Sequence, residues 1–390
     1  AALRSEPKLP GNARGPLGGV RVLDFTAFLS GPMGAHLLTD LGADVTKVEP
    51  HSGDDFRMSA PSVFRALHRD KKSVVVDLKL PGGDDVLDRL VRESDVVVYN
   101  YRLGVEERLG LGYERLKAIN PGIIVCRITA FGARGERAHR GGYDASIAAL
   151  SGLSAMQGGA GNPPVSITIA DISTGLMAAT AITLAVRARE TQGIGQHIDV
   201  AMIGATAYVG ADAFVGYEGK AAGAELDAGQ HGFGPGHRLY RTADGWIFVS
   251  AAGDAANEGM RAALSLPAAF DDAAAEHAFA GRSTQDWLAL LSAAGVPAAD
   301  AVVDAAAFLH QTPDFRANGT RIEVGTERYG ALGQAGPAVR FSRTPVRVER
   351  QEPAFGEHTE EVLRGLGMSD ASLAALRTTR TIPAEGGVGH

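Results

Sequence analysis

The chain has 390 residues, 45% apolar and 21% charged, which is enough apolar material for about two or three domains and excludes a disordered chain. Its 38 Lys and Arg against 45 Asp and Glu give a net charge of −7, which argues against general nucleic-acid binding. The single cysteine, Cys126, excludes an intramolecular disulfide, and no apolar stretch reaches the roughly 20 residues of a membrane helix, so we expect a cytoplasmic protein with no membrane partner.

The first half of the chain alternates short apolar runs with helical patterns. Strands are predicted over residues 20–25, 44–49, 73–78, 95–99 and 123–131, and helices over 33–41, 81–93 and 113–119. Apolar strands separated by helices of about ten residues are typical of βαβ units, in which the strands are buried on both faces. The sequence therefore predicts an α/β fold with a mainly parallel sheet.

From residue 143 the pattern becomes mostly helical. Helices are predicted over 171–190, 199–210, 258–263, 284–294, 301–309 and 359–366, and short strands over 245–249 and 338–341. A Gly-rich segment over 229–236 introduces a second region. That segment has two interpretations, a flexible linker or a mobile lid in which glycine permits close approach to a ligand.

Several common enzyme signatures are missing from the chain. The first predicted strand is followed by FTAFLSGP rather than by G-x-G-x-x-G, and there is no G-x-x-x-x-G-K-[ST]. H-E-x-x-H, paired cysteines and G-x-S-x-G are also missing. These absences argue against dinucleotide and P-loop sites, against a metal site and against a Ser-hydrolase triad.

One carboxylate has an unusual position. Asp171 follows the apolar run ITIA and opens the longest apolar helix. An aspartate at a helix start is usually an N-cap, which satisfies free N–H groups and is worth about 1 kcal/mol. The same position suits a carboxylate nucleophile, because a helix N-terminus holds the group ionised beside backbone donors. The pattern alone leaves both interpretations open.

Polar residues also lie near the ends of the predicted strands. Asn100 and Tyr101 directly follow a buried strand, where parallel sheets place ligand contacts. The basic residues in comparable positions, each either a phosphate partner or more commonly a surface charge, are Lys47, Lys79, Arg102, Arg108 and Arg127.

Ordered landmarks run through most of the chain. They are VLDFT and SGP near the first strand, LLTDLGADVTKVE ending at Glu49, KSVVVDLK (72–79), DVVVYNYRLGVEERLGLG (95–112), GYD (142–144), AD (170–171), TQGIGQHIDV (191–200), YRTADGW (240–246), GVP (295–297) and GEHT (356–359). Each piece is weak alone, but the ordered set resembles the class III CoA-transferases, which include formyl-CoA transferase, carnitine CoA-transferase and α-methylacyl-CoA racemase. The resemblance covers about residues 17–370.

The resemblance implies a fold and an assembly. The family has a Rossmann-like large domain and a smaller α+β domain, and two chains interlock as a homodimer. We accordingly divide the chain into a flexible lead-in (1–18), a large CoA-binding domain (19–215), a small domain (225–330), a C-terminal part that returns to the large domain (336–375) and a frayed tail (376–390).

The resemblance also implies the chemistry. Asp171 falls on the family's nucleophile, which forms a mixed anhydride with the donor's acyl group and then a thioester with CoA. The substrates would be an acyl-CoA and a small carboxylic acid, with no tightly bound cofactor and no metal. CoA contacts carry over to Phe28, Leu29, Ser30, Asp77, Leu78, Lys79, Asn100, Tyr101, Arg108, Thr129, Gly132 and Met202. The family's glycine loop, which shields intermediates from water, falls on Gly232, Gly234 and Gly236.

The chain departs from the family's pattern at two informative positions. Pro50 replaces the family's usual basic residue, so one cation on the adenine side is missing. Tyr143 stands where the racemase branch needs a histidine for two-base proton transfer, which argues against racemisation. Two alternatives stay open: an acyl-CoA racemase or epimerase with another base, and a non-catalytic CoA-binding domain of a larger protein.

Overall fold

The computed structural model describes residues 15–326 and 329–384, which form two compact units. Unit 1 contains the described residues of 1–148, 168–209 and 313–390, and unit 2 contains 149–167 and 210–312. Residues 149–167 group with unit 2 instead of the large domain, because they bond to the chain before the Gly-rich segment. The N–H of Ala160, for example, donates to the carbonyl of Leu226 at 2.8 Å.

Unit 1 is built on a six-stranded parallel sheet. Its strands are β1 (Arg21–Asp24), β2 (Asp44–Glu49), β3 (Lys72–Val75), β4 (Val96–Tyr99), β5 (Ile124–Thr129) and β6 (Gln196–Ala201). Their order is β3-β2-β1-β4-β5-β6, and all neighbours are parallel, so the predicted α/β class is confirmed for this sheet. This is the doubly wound order, in which ligands bind in the crevice outside the carboxyl ends of β1 and β4.

The remaining strands form two antiparallel sheets, and 18 helices are found in the described ranges. Unit 2 has a three-stranded sheet of β7 (His237–Arg241), β8 (Trp246–Ser250) and β9 (Ala298–Asp300), and unit 1 has a hairpin of β10 (Arg321–Thr326) and β11 (Gly330–Ala335). The helices are α1 (Ser30–Asp40), α2 (Phe56–Ser59), α3 (Pro61–His68), α4 (Gly83–Arg92), α5 (Val105–Arg108), α6 (Tyr113–Ile119), α7 (Asp144–Leu150), α8 (Leu153–Gly158), α9 (Ala170–Gln192), α10 (Met202–Val209), α11 (Ala211–Phe214), α12 (Asp254–Leu264), α13 (Asp272–Phe279), α14 (Thr284–Ala293), α15 (Ala305–Gln311), α16 (Pro313–Ala317), α17 (Thr359–Gly365) and α18 (Asp370–Thr378).

Two apolar cores in unit 1 are built on alternate residues of the parallel strands. One joins the sheet to α1 and α9, where Leu38 and Ile182 are fully buried. The other joins it to α4, α6, α17 and α18, where Leu87 and Leu373 are fully buried. The C-terminal helices thus return to this sheet. No helix within the described ranges is both long and apolar enough to span a membrane.

Some predicted elements were wrong. The helix predicted over 199–210 begins as β6, which pairs with β5 through Ala201, and the helical part starts at Met202. Residues 338–341 form no strand. The elements for which no range was predicted are α2, α3, α5, α7, α8, α11, α13, α16, α18, β7, β9 and the β10–β11 hairpin. Each missed element has fewer than ten residues, so it carries little periodicity to recognise.

Both predicted chain ends need correction. Of the lead-in, residues 1–14 lie outside the described residues, but Leu17 is buried and its N–H donates to the carbonyl of Leu41 at 2.9 Å. The tail is not frayed from residue 376, because α18 continues to Thr378 and Thr381 is fully buried. Residues 385–390 lie outside the described residues.

Candidate active site

The loops that follow β1 and β4 are tied together at the crevice. The side chain of Asn100 accepts the N–H of Ala27 at 2.9 Å and donates to its carbonyl at 2.7 Å. The next residue, Phe28, has a φ of 66°, which a non-glycine residue adopts only when its surroundings enforce it. Asn100 therefore shapes the loop that carries Phe28, Leu29 and Ser30.

Two helix N-termini meet beside this loop. α1 begins at Ser30 and α9 at Ala170. The helices cross at Gly175, where an added Cβ would lie 2.7 Å from the Cβ of Met33 and 2.9 Å from the carbonyl oxygen of Ser30. Only glycine permits that approach, and it brings Ser30 to Asp171, the second residue of α9.

Asp171 is half-buried at this junction. Its backbone N–H donates to Oδ2 of Asp144 at 2.8 Å. Burial raises the pKa of Asp171 and the negative charge of Asp144 raises it further, whereas a hydrogen bond from the Ser30 side chain lowers it; the resulting pKa is about 6. The carboxyl group is therefore mostly ionised at neutral pH, yet more basic than an ordinary aspartate.

Asp171 lines a cavity of about 280 Å³ in unit 1. The other predicted site residues that line it are Phe28, Ser30, Asn100, Tyr101, Thr129 and Met202. Arg102, Arg140 and Tyr143 line it as well. Within the described ranges neither guanidinium is in an ion pair, so the cavity is suited to an anionic ligand.

A second cavity of about 270 Å³ shares Tyr101 and Val105 with the first. The predicted contacts Asp77, Leu78, Lys79 and Arg108 line it, together with an apolar wall of Phe25, Val48, Pro50, Val76 and Leu109. The two cavities together form a cleft along the carboxyl edge of the sheet. Each cavity has two cationic residues in its lining, and the second also has the apolar wall, which suits a long ligand that carries phosphates.

Some predicted contacts lie elsewhere. Leu29 and Gly132 line neither cavity, and the N–H of Gly132 donates to the hydroxyl of Thr129 at 3.0 Å. Lys47 and Arg127 are neither phosphate partners nor surface charges. Lys47 is 1% exposed and pairs with Asp54 at 2.8 Å, and Arg127 pairs with Glu106 and Asp199.

The predicted glycine loop lies in unit 2. Gly232 and Gly236 are packed against backbone: a Cβ at Gly232 would lie 2.2 Å from the carbonyl oxygen of His237, and one at Gly236 would lie 3.1 Å from that of Ala251. Gly234 has open space around it and a φ of +130°. The outer glycines therefore anchor the loop, and the middle one allows its turn.

Sequence reasoning missed Asp144 and Arg140. The only signal for Asp144 was its place in the GYD landmark, and contact with Asp171 across 27 positions leaves no local pattern.

Among the described residues, no group of three or more His, Cys, Asp or Glu is arranged to hold a metal ion.

Comparison with known proteins gives consistent results. Residues 17–359 match the profile of CoA-transferase family III. Succinyl-CoA:glutarate CoA-transferase of Mus musculus is 33% identical over 386 residues, covering 90% of this chain and 86% of that protein. Succinate–glutarate CoA-transferase of Agrobacterium fabrum is 31% identical over 390 residues, covering 91% and 96%. The crystal structure of a CAIB/BAIF family protein from Brucella suis superposes with a TM-score of 0.80 at 30% identity, covering 90% of this chain and 100% of that one.

Proposed function

The chain belongs to CoA-transferase family III, and on that premise we propose that it moves CoA from an acyl-CoA to a free carboxylic acid through covalent intermediates on Asp171. One observation carries the proposal. A single carboxyl group with a pKa raised to about 6 opens the longest helix and lines the cleft where the predicted CoA contacts gather.

The proposed reaction consists of four displacements. The Asp171 carboxylate attacks the thioester carbonyl of the donor; the C–S bond breaks, CoA leaves as thiolate, and a mixed anhydride remains. The thiolate then attacks the Asp171 carbonyl carbon, which releases the donor acid as carboxylate and leaves an aspartyl-CoA thioester. The acceptor carboxylate and the thiolate repeat the two steps in reverse order, which regenerates the Asp171 carboxylate. No net proton transfer is needed, and covalent catalysis divides one difficult exchange into easier ones.

Backbone donors of α1 support this chemistry. The N–H groups of Ser30 and Gly31 have no hydrogen-bond partner among the described residues, and Pro32 carries no N–H. Free amides at a helix N-terminus stabilise negative charge, and Ser30 lines the cavity beside Asp171. We assign them to the oxyanion that develops when the thioester or the anhydride is attacked.

The cationic residues of the two cavities suit the charged parts of CoA. Arg102 and Arg140 line the first cavity, and Lys79 and Arg108 line the second, so both offer partners for phosphate groups. The apolar wall of the second cavity suits the adenine ring.

The relatives suggest which acids to test first. The mouse protein is named for succinyl-CoA and glutarate and the Agrobacterium fabrum protein for succinate and glutarate, and succinate and glutarate are both dicarboxylates. We propose a small dicarboxylic acid as the acceptor and its CoA thioester as the donor.

Asp171→Ala and Asp171→Asn test the nucleophile. Exchange between succinyl-CoA and glutarate, followed by chromatography of the CoA esters, should fall at least about 10⁴-fold in both variants. Intact-mass analysis of wild type incubated with succinyl-CoA should show an added CoA, and the variants should show none. Asp254→Ala, which removes an exposed aspartate at the start of α12, is the matched control and should keep both signals. Full exchange by Asp171→Ala would rule out the proposal.

A further inference from the structure

A second carboxyl group lies behind Asp171. Asp144 begins α7 and is 9% exposed. Its Oδ2 accepts the backbone N–H of Asp171, but its Oδ1 is buried and has no hydrogen-bond partner among the described residues. A buried carboxylate that is only half satisfied lowers the stability of the fold, so its presence calls for an explanation.

Helix capping explains only half of this arrangement. The residue before α9, Ile169, offers no side-chain cap, and Asp144 supplies the missing acceptor from another helix. A neutral asparagine would serve equally well as that acceptor. The hydrogen bond therefore accounts for Oδ2, whereas the negative charge and the free Oδ1 remain to be explained.

The other groups around Asp171 differ in charge from Asp144. Ser30 faces it from α1, and Tyr143, Arg102 and Arg140 line the same cavity. Asp144 is the one acidic neighbour among these groups. It therefore opposes the free Asp171 carboxylate, which the hydrogen bond from Ser30 stabilises.

We propose that Asp144 is a positioning residue that drives Asp171 toward its esterified states: it fixes the backbone of the nucleophile and places a negative charge beside the free carboxylate. The inference rests on the proposed function. When Asp171 attacks the thioester, its negative charge leaves with the CoA thiolate, and the repulsion from Asp144 disappears. The anhydride and the aspartyl-CoA thioester are both neutral at Asp171, so both are favoured relative to the resting enzyme.

Protonation of Asp171 removes the same negative charge as its esterification does. The effect of Asp144 on the pKa of Asp171 therefore predicts its effect on the covalent equilibrium. The pKa of Asp171 is raised first by burial and then by Asp144, so Asp144 accounts for the smaller share of the rise to about 6. We expect removal of the charge to lower the pKa by roughly half a unit to one unit, which corresponds to about a three- to tenfold change in the equilibrium. The equilibrium fraction of covalent CoA adduct should fall by the same factor.

The experiment compares Asp144→Asn, Asp144→Glu and Asp144→Ala in the full-length protein, with folding checked by circular dichroism. In Asp144→Asn, which keeps the hydrogen-bond acceptor, the acid limb of kcat/KM should move down by roughly half a unit to one unit, and the ratio of adduct to free enzyme at pH 8 should fall about three- to tenfold. Asp144→Glu keeps the negative charge, so the midpoint of the acid limb of kcat/KM should stay at its wild-type value. Asp144→Ala should show the effect of Asp144→Asn together with a lower kcat.

Two results would overturn the proposal. In the first, Asp144→Asn leaves the midpoint of the acid limb of kcat/KM and the ratio of adduct to free enzyme at their wild-type values. Asp144 would then be only a helix cap. In the second, ¹³C NMR of the free enzyme shows that Asp144→Asn changes the pKa of Asp171, but the ratio of covalent CoA adduct to free enzyme does not change with it. The NMR titration needs no turnover, so it tests the electrostatic part even if wild type forms no adduct, a result that would instead count against the proposed function.

Discussion

At the scale of single residues, the ionisation of Asp171 is set by opposing contacts. Burial and Asp144 raise its pKa, and the Ser30 side chain lowers it. A carboxylate nucleophile benefits from high basicity but must be ionised when the thioester arrives. A pKa of about 6 keeps roughly nine-tenths of the group ionised at pH 7, so the site meets both conditions.

Ser30→Ala should shift the pH dependence upward. Loss of the hydrogen bond to the ionised carboxylate raises the pKa of Asp171, and activity is lost as pH falls through that pKa. We expect the acid limb of kcat/KM to move up by roughly half a unit, opposite to the shift expected for Asp144→Asn. Ser173→Ala is the matched control, because its hydroxyl bonds to the carbonyl of Ala170 within α9. If the acid limb of kcat/KM in Ser30→Ala had its midpoint at or below the wild-type pH, the Ser30 hydroxyl would not be what lowers the pKa of Asp171.

Sequence reasoning performed unevenly at this scale. The local pattern of a carboxylate that opens a long apolar helix made Asp171 a candidate but left the N-cap interpretation open, and the family resemblance assigned it the role of nucleophile. Asp144 could not be found, since its partner lies 27 residues away and the contact depends on how α7 meets α9. Lys47 was misread for a similar reason: its position near the end of a strand suggested a phosphate partner or an exposed charge, but its ammonium group is buried and donates to Asp54 and to the carbonyl of Thr26.

At the scale of elements, the crossing of α1 and α9 positions the nucleophile. The contact depends on Gly175, so Gly175→Ala should push α9 away from Ser30. We expect a loss of about 1–3 kcal/mol in the free energy of unfolding, measured by denaturant titration. A displacement of about 1 Å at Asp171 should lower kcat/KM roughly 10²-fold, with a smaller effect on KM.

Gly204→Ala is the matched control for this helix contact. Gly204 lies inside α10, and the nearest atom to an added Cβ there is 3.9 Å away, so nothing has to move. Alanine should stabilise that helix by up to about 1 kcal/mol. If Gly175→Ala were as stable and active as Gly204→Ala, the crossing would not be what positions Asp171.

The elements that could be predicted were those with strong local patterns. β2 was predicted with both ends correct, and the long helix α9 within about two residues, because their apolar runs are continuous and sharply bounded. The boundary between β6 and α10 was missed, since the apolar pattern runs through it and only pairing with β5 distinguishes the strand. The β10–β11 hairpin has alanines and glycines in β11, which carry little strand preference.

At the scale of the whole molecule, several large apolar side chains are exposed close together in sequence. Tyr208 is 74% exposed and Tyr217 66% exposed, and between them Val209, Phe214 and Val215 are also exposed. Single exposed apolar residues are common, but groups of large ones close together in sequence are typical of surfaces that a partner covers; Tyr208 and Val209 form one such group in unit 1, and Phe214, Val215 and Tyr217 another in unit 2. Together with the family resemblance, this supports the proposal that two chains form an interlocked dimer.

Subunit exchange tests that assembly directly. Chains that pass through one another cannot separate without unfolding, so the barrier to exchange should be the barrier to unfolding. We expect light scattering to give twice the mass of one chain, and tagged and untagged dimers mixed for a day at 25 °C to yield no mixed dimer by native mass spectrometry. After joint unfolding and refolding, about half of the dimers should be mixed, as random pairing requires. Mixed dimers that form within hours under native conditions would show that the chains pack side by side, and a monomeric mass would exclude the dimer altogether.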